Sequence, residues 1–496
     1  MPATSSALTK LPRVSTFLGR KWCINGESVT AISLNHLHTS MLPSSGTGPR
    51  LSSGRFVLVG FTRRSGDRRS QHDARGGQSL SHPAPRFSRM PRTMTLERIQ
   101  RVLASWRPGV PGAANPTVQV IDMFSGCGGT SLGFAALGNA GDGFRLLGAV
   151  DVNERSLATY AHNFGVPALR YDVRELASST PLLEEMLGRL DGYDPHKPLV
   201  LIGCAPCQGF SAHRKKNWAQ VDDRNNLIEA FASVATALSP DVVIMENVPE
   251  LLSGRYWPYF ESFRDTMGES GYVTKQAIHN SAEYGVPQER FRALVMAMRR
   301  DNFALPQPVL KRGSFITVRD AIGDLEPVHA GETDERDRFH RSARHRQATL
   351  EVIRSVAPNG GSRPPGVGPA CLDRVSGFYD VYGRLAWDKP SITITHYARN
   401  PASGRFVHPE QDRGLTMREA ARLQGFPDAF EFTGTFDDVF RQIGEAVPPP
   451  MATALASSVA SSLRGDVDRS TDDRMIFAPV KDSYAGVIAG MKGRGS

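Results

Sequence analysis

From Val118 onward, short apolar runs alternate with stretches of helical periodicity. The runs Val118–Met123, Leu146–Val152, Ala168–Val173, Pro198–Ile202, Asp241–Met245 and Arg292–Met298 predict strands. Glu154–Phe164, Pro181–Leu190 and Asn226–Leu238 predict helices between them. This alternation builds βαβ units, so the expected fold is α/β, a mostly parallel sheet with helices on both faces. A helical pattern over Thr95–Trp106 precedes the first strand. Around Arg299 the alternation stops, and an irregular stretch follows to about residue 415, with Arg/His clusters from Arg336 to Arg346 and a Gly/Pro stretch from Pro358 to Pro369. It reads as a second, smaller domain. Helical texture returns at Thr416–Gln424 and Pro449–Leu463.

Composition changes this picture mainly at the ends. Residues 1–93 are rich in Ser, Arg, Gly and Pro and lack sustained periodicity, which predicts a disordered basic tail or a translation start at Met90 or Met94. Residues 465–496 read as a poorly ordered tail. The net charge of +9 is unevenly divided: residues 1–96 carry 14 Lys/Arg against 3 Asp/Glu, or +11, which leaves −2 for the rest. A nucleic-acid surface on the folded part must therefore come from local clusters such as Arg214-Lys215-Lys216. Five cysteines in no disulfide-framework spacing predict a reduced, cytoplasmic protein. No apolar stretch reaches the roughly 18–20 residues of a membrane span.

Two turns carry the candidate chemistry. After the Val118–Met123 run comes Phe124-Ser125-Gly126-Cys127-Gly128-Gly129, a glycine turn that opens a helix and lets a ligand approach backbone closely. The dinucleotide fingerprint fails, because its third glycine falls at Ser131, and no Gly-Lys-Ser/Thr ending makes it a P-loop. Asp151 and Asp172, closing the next two runs, suit a nucleoside's ribose and base edge, or else cap helices. The second turn, Cys204-Ala205-Pro206-Cys207-Gln208, delivers a thiol after the Pro198–Ile202 run. A neighbouring run ends in Glu246-Asn247-Val248. A thiol is intrinsically very nucleophilic. If it adds to an electron-poor ring, an acid on the ring nitrogen draws off the developing charge. Arg290 and Arg292, in Gln288-Glu289-Arg290-Phe291-Arg292, offer donors for a ring oxygen. No second Cys/His pair at finger spacing appears, so no metal site is expected.

With these residues in order, the chain resembles the DNA (cytosine-5) methyltransferases, in the style of bacterial modification enzymes. Asp122 to Gly129 resembles the family's first S-adenosylmethionine motif, Pro206-Cys207-Gln208 its catalytic loop, Glu246-Asn247-Val248 its acid motif and Gln288 to Arg292 its arginine motif. Arg418 to Pro427 and Gly444 to Pro449 resemble its last two motifs. The resemblance implies a Rossmann-like methyltransferase fold with its main part at residues 94–305, a target-recognition domain at 306–412 and a return segment at 413–464. It implies that Cys207 attacks C6 of a flipped-out cytosine, that Glu246 holds N3 and the amino group, that Arg292 holds O2, and that Arg290 and Asn247 order the site. For S-adenosylmethionine it implies Phe124, Ser125, Gly126, Gly128, Gly129, Asp151, Asp172, Val173, Glu445 and Val447. For double-stranded DNA it implies Gln208, Ser211, Arg214, Lys215, Lys216 and Thr393. Glu445 departs from the family, which often has Asn there; a carboxylate must turn toward the cofactor's ammonium group. The RNA-directed branch carries a Cys-Phe-Thr signature, absent here. A monomer is expected, with a cognate restriction endonuclease acting on the same site without direct contact.

Overall fold

The computed structural model describes residues 21–24, 27–30, 94–206, 226–254, 256–374, 380–467 and 474–480. The chain divides into two compact units, Met1–Gly77 and Gln78–Ser496. In the first, β1 (Lys21–Ile24) and β2 (Glu27–Thr30) pair antiparallel. The expected disorder of residues 1–93 otherwise falls outside the described residues.

The second unit is built on seven strands: β3 (Val118–Met123), β4 (Phe144–Asp151), β5 (Ala168–Arg170), β6 (Leu199–Gly203), β7 (Val242–Asn247), β8 (Val273–Asn280) and β9 (Phe291–Met298). Their order is β5-β4-β3-β6-β7-β9-β8, with β3 to β7 parallel and β9 antiparallel to both neighbours. Chain order runs outward from β3 to β5 on one side and from β6 to β7 on the other. The crevice at the C-terminal ends of β3 and β6 is thus a topological switch point, where open α/β sheets bind ligands.

Strand side chains alternate between two cores. Val118 and Val120 of β3 join the cluster with α1 (Leu96–Ser105) and α2 (Gly129–Leu137), whereas Ile121 and Met123 join the other. Around these pack α3 (Glu154–Phe164), α4 (Val173–Ser178), α5 (Thr180–Gly188), α6 (Asn226–Leu238) and α7 (Trp257–Glu269). The expected strand Ala168–Val173 is shorter than the apolar run: it stops at Arg170, and Asp172 caps α4 by accepting from the Arg174 N–H at 2.9 Å. Both α7 and β8 escaped the hydrophobic pattern. β8 reads polar, yet Lys275 donates to the Phe303 carbonyl at 2.7 Å and His279 bonds the Tyr284 hydroxyl through Nδ1 at 2.5 Å, so long-range partners let these two side chains be buried.

The irregular stretch holds the short helices α8 (Val318–Ile322), α9 (Gln347–Arg354) and α10 (Cys371–Arg374) and a 3₁₀ turn at Pro401–Ser403 among its described residues. With few ladders to satisfy its carbonyls, it uses buried arginines. Arg384 donates to the carbonyls of Ile353, Val356, His408 and Gln411, and Arg405 to those of Gly360, Gly361 and Arg384. A small core of Val352, Ile353, Val381, Tyr382 and Val407 is its own; Leu385, Trp387 and Ile394 belong to the main core.

The chain returns through α11 (Met417–Leu423), α12 (Phe436–Glu445) and α13 (Pro449–Arg464). A Cβ on Gly133 of α2 would lie 2.5 Å from the Ala452 carbonyl carbon, so only glycine lets α13 pack that closely. The tail expected to be loose contributes an ordered piece: the Ile476 N–H donates to the Gln276 carbonyl of β8 at 3.1 Å. No helix of the described residues is long and apolar enough to cross a membrane.

Candidate active site

At the switch point the glycine turn lies beside the start of the cysteine loop: the Cys204 N–H donates to the Met123 carbonyl at 3.3 Å. Phe124 takes φ 54, a left-handed conformation uncommon outside glycine, and its ring meets Phe231 edge-on at 6.4 Å. Gly126 (φ 52) presents open space where a Cβ would be, whereas a Cβ on Gly128 would strike Phe164 at 2.4 Å. On Gly129 it would strike the Val447 carbonyl oxygen at 2.3 Å, so the return segment closes directly onto the turn. The Ser125 N–H donates to the Val150 carbonyl at 3.2 Å, holding the turn against the end of β4.

Asp151 is anchored rather than loose. Its carboxylate accepts from the Gly126 N–H and the Asn153 N–H, both at 2.8 Å. Burial raises it above the usual carboxylate range, opposed by those bonds. Beside it Val152 is 59 % exposed, one of few large apolar side chains open to solvent. Sequence reading missed this exposure because Val152 looks like the tail of a strand. Asp172 is bridged by Arg174, whose side-chain bonds hold its carboxyl low, and Val173 is buried. Open space at Gly126, with Phe124 beside it in sequence and the anchored Asp151 bonded to its N–H, leaves this face of the turn accessible.

Beneath the turn, Asp122 accepts from Ser131 at 2.6 Å, and burial pushes its pKa up to about 7. Glu445 ends α12 with part of its side chain open to solvent; the burial of the rest raises its carboxyl, Arg441 offsetting and Asp151 adding to the effect. Among the described residues no cation is paired with it.

On the other side of the switch point, Glu246 and Arg292 meet. Because β9 runs antiparallel to β7, its beginning rather than its end arrives at the C-terminal end of β7, with Asn247 opposite Ala293. The Arg292 Nε stands 3.0 Å from the Glu246 Oε1, both side chains mostly buried. That contact lacks hydrogen-bond alignment, leaving Oε1 without a donor among the described residues. Arg292 also donates to the Phe291 carbonyl at 2.7 Å. Asn247 donates to the Ala205 carbonyl at 3.2 Å, tying the acid motif to the cysteine loop.

The two arginines part company. Arg290, just before β9, donates to the carbonyls of Ile394 (3.1 Å), Gly444 and Ala446 (both 3.2 Å), and so joins the irregular stretch to the return segment. Thr393 donates to the Glu289 carbonyl at 3.1 Å. Gln288, which residue reading passed over, is fully buried: its Oε1 accepts from the Ile394 N–H at 2.8 Å and its amide donates to Gln424 at 2.7 Å. A glutamine amid charged neighbours in a surface-like motif carries no mark of that role.

Cys207, Gln208, Ser211, Arg214, Lys215 and Lys216 lie outside the described residues; the described chain reaches Pro206. Cys204 faces the Thr130 hydroxyl at 3.6 Å, and burial, with Glu246 and Asp122 nearby, keeps its thiol protonated.

Residues 118–461 match the family model for C-5 cytosine-specific DNA methylases. Type II methylase M.HgiDII of Herpetosiphon aurantiacus is 31 % identical over 360 residues, covering 70 % of this chain and 96 % of that protein. Type II methyltransferase M1.HphI of Haemophilus parahaemolyticus is 35 % identical over 341 residues, covering 68 % and 86 %. An E. coli prophage protein described as a DNA modification methyltransferase shares the fold, with a TM-score of 0.54 at 24 % identity over 69 % of this chain and 98 % of that one. Ordered motifs, a sheet that brings them to one end, and this likeness over the whole span together place the chain in the C-5 cytosine-specific DNA methylase family, among its bacterial modification-type members.

Proposed function

We propose that this enzyme transfers a methyl group from S-adenosylmethionine to C5 of a flipped-out cytosine in a specific double-stranded DNA sequence, through a covalent Cys207–C6 adduct. The observation that carries the reading is the Glu246–Arg292 pair, 3.0 Å apart at the strand ends beside the glycine turn. A buried acid with an unfilled oxygen and an arginine with remaining N–H groups match the N3, amino and O2 edge of cytosine.

The Cys207 sulfur adds to C6, and Glu246 holds N3 and the amino group, taking up the charge that would otherwise build on the ring. Arg292 binds O2. Asn247 fixes the loop that carries the thiol, and Arg290 fixes the elements around it. When bound, S-adenosylmethionine supplies an electrophilic methyl group. C5 would take that methyl as the sulfonium S–CH3 bond breaks and S-adenosylhomocysteine leaves; loss of the C5 proton to a base and breaking of the C6–S bond would then restore the ring and release the Cys207 sulfur. Phe124, Asp151 and Val152, with Ser125, Gly126, Gly128, Gly129 and Val447 of the turn and its cover, hold the adenosyl end; Asp172 and Val173 border the base edge. Glu445 faces the amino-acid end and its ammonium group. Gln208, Ser211, Arg214, Lys215, Lys216 and Thr393 contact DNA, whose target base is flipped out at a cost of roughly a few kcal/mol.

The setting is restriction-modification or stand-alone methylation by a cytoplasmic monomer, with an endonuclease reading the same site without touching this chain. DNA bearing 5-fluorocytosine tests the chemistry, since fluorine cannot leave as the C5 proton does. A cross-link mapping to Cys207 is expected; an adduct elsewhere, or none with a cognate site present, defeats the proposal. Bisulfite sequencing of DNA from expressing cells supplies that site.

A further inference from the structure

The segment Arg474–Val480 lies beyond the helix that closes the fold and belongs to none of the motifs above, yet it is tied down along its length. Near its start, the Ile476 N–H donates to the Gln276 carbonyl at 3.1 Å, and the Gln276 amide donates back to the Ile476 carbonyl at 2.5 Å. Arg474 pairs with Glu283 at 3.0 Å. At its far end, the Val480 N–H donates to the Leu252 carbonyl at 3.0 Å, the Gly254 N–H donates to the Val480 carbonyl at 3.3 Å, and Val480 bridges Ser253 in parallel. Ile476 and Val480 pack on the core under β7, while Phe477 between them is 76 % exposed. One end thus grips the outermost strand of the sheet, whose outer edge has no other strand beside it among the described residues.

The two grips meet the site from both sides. β8 pairs with β9 along its whole length, His279 lying opposite Arg292. The turn Pro249–Leu252 begins two residues after Asn247, the last residue of β7. It is a single 3₁₀ turn, with few bonds of its own, and such turns are held by what packs on them. It also carries Glu250, whose carboxyl lies within the electrostatic reach of Arg292. If the turn moves, a second acid shifts against the arginine that Glu246 faces.

We propose that Arg474–Val480 is a positioning strap that holds the ends of β7 and β9 in register, and with them the Glu246–Arg292 pair. It touches neither substrate nor cofactor. Its catalytic meaning rests on the reading of that pair as the cytosine site. Displacement of a reacting geometry by about 1 Å costs on the order of 10²-fold, so a partly loosened strap predicts a loss of about tenfold in ring activation.

Full-length Val480→Pro tests this, because proline removes the N–H given to Leu252. Two readouts are taken: amide exchange at Asn247, Val248 and Gly254, and tritium release from DNA carrying [5-³H]cytosine, which follows ring activation. Both are compared with the dissociation constants for S-adenosylmethionine and DNA. The expected result is faster exchange at all three amides and tritium release slowed about tenfold, with both dissociation constants unchanged and Phe477→Ser equal to the parent. A merely structural segment would lower stability without separating tritium release from binding. Parental tritium release in a variant whose Gly254 amide is deprotected overturns the proposal, as does a Gly254 amide that exchanges freely in the parent. Should Val480→Pro not fold, Gln276→Ala, which removes the side-chain grip on Ile476, is read in the same way. If the parent releases no tritium from any DNA, the functional reading fails instead; the strap is then judged by whether Val480→Pro deprotects Asn247 and Val248.

Discussion

Residue by residue, the site divides into groups that do chemistry and groups that hold them. Cys207→Ser should abolish methylation, by about 10³-fold or more, while cofactor binding persists; retained turnover would remove the thiol from the mechanism. Glu246→Gln keeps a donor for N3 but cannot deliver a proton, so turnover should fall by about 10²-fold without vanishing. Steady-state rates at saturating DNA check both. Gly129→Ala tests the cover of the turn. A methyl group 2.3 Å from the Val447 carbonyl must push the return segment away, at about 1–3 kcal/mol. Urea unfolding reads the stability, and equilibrium dialysis the expected weaker cofactor binding. The candidate chemical residues could be named from the sequence because thiol, acid and glycine turn carry their chemistry in their identity. Val152 and Gln288 were not: exposure beside Asp151 and burial among backbone groups are properties of place.

At the scale of elements, α11 shows how one residue can serve two ends. Glu419 completes a capping box with Thr416 and takes Arg413 in a two-pronged ion pair at 2.7 and 2.8 Å. Burial works against this carboxylate, yet the Arg413 charge and hydrogen bonds bring it down to about 2. Next to it, burial drives His408 down to about 4, and in β8 burial drives His279 down to about 3. Both histidines fold neutral and accept protons in the unfolded chain from about pH 6.5. Their stabilisation is full above that value and drains as pH falls toward 4 and 3. Melting temperature should therefore drop steadily below pH 6.5, with Glu419 adding to the loss below about 4.5. His408→Gln should flatten the upper part of that slope; an unchanged slope would acquit the residue. Parallel strands announced themselves as apolar runs, whereas β8 did not, because its Lys275, Gln276 and His279 are polar groups whose partners lie at Phe303, Ile476 and Tyr284, far along the chain or across a turn.

Across the whole molecule, α1 is the first element built into the main core: Ile99, Val102, Leu103 and Trp106 are buried, and Arg98 pairs with Asp142 at 2.7 Å. Removal of residues 1–93 should leave methylation unchanged and the melting temperature within about 2 °C; loss of folding would make that stretch part of the domain. The sequence by itself determined the α/β class, most of the strand-and-turn units from Val118 to Met298, and the candidate residue types on which the proposed chemistry draws. These are local: an apolar run needs burial, a glycine turn needs backbone freedom, and a thiol brings a potential nucleophile that its surroundings then allow or silence. Tertiary structure alone decided what meets what. Strand order set the glycine turn beside the cysteine loop, the reversal of β9 carried Arg292 to Glu246 and sent Arg290 toward the return segment, and the tail came back to the edge of β8. No sequence pattern encodes such pairings, because each is the outcome of all the others packing at once into a single close-fitting interior.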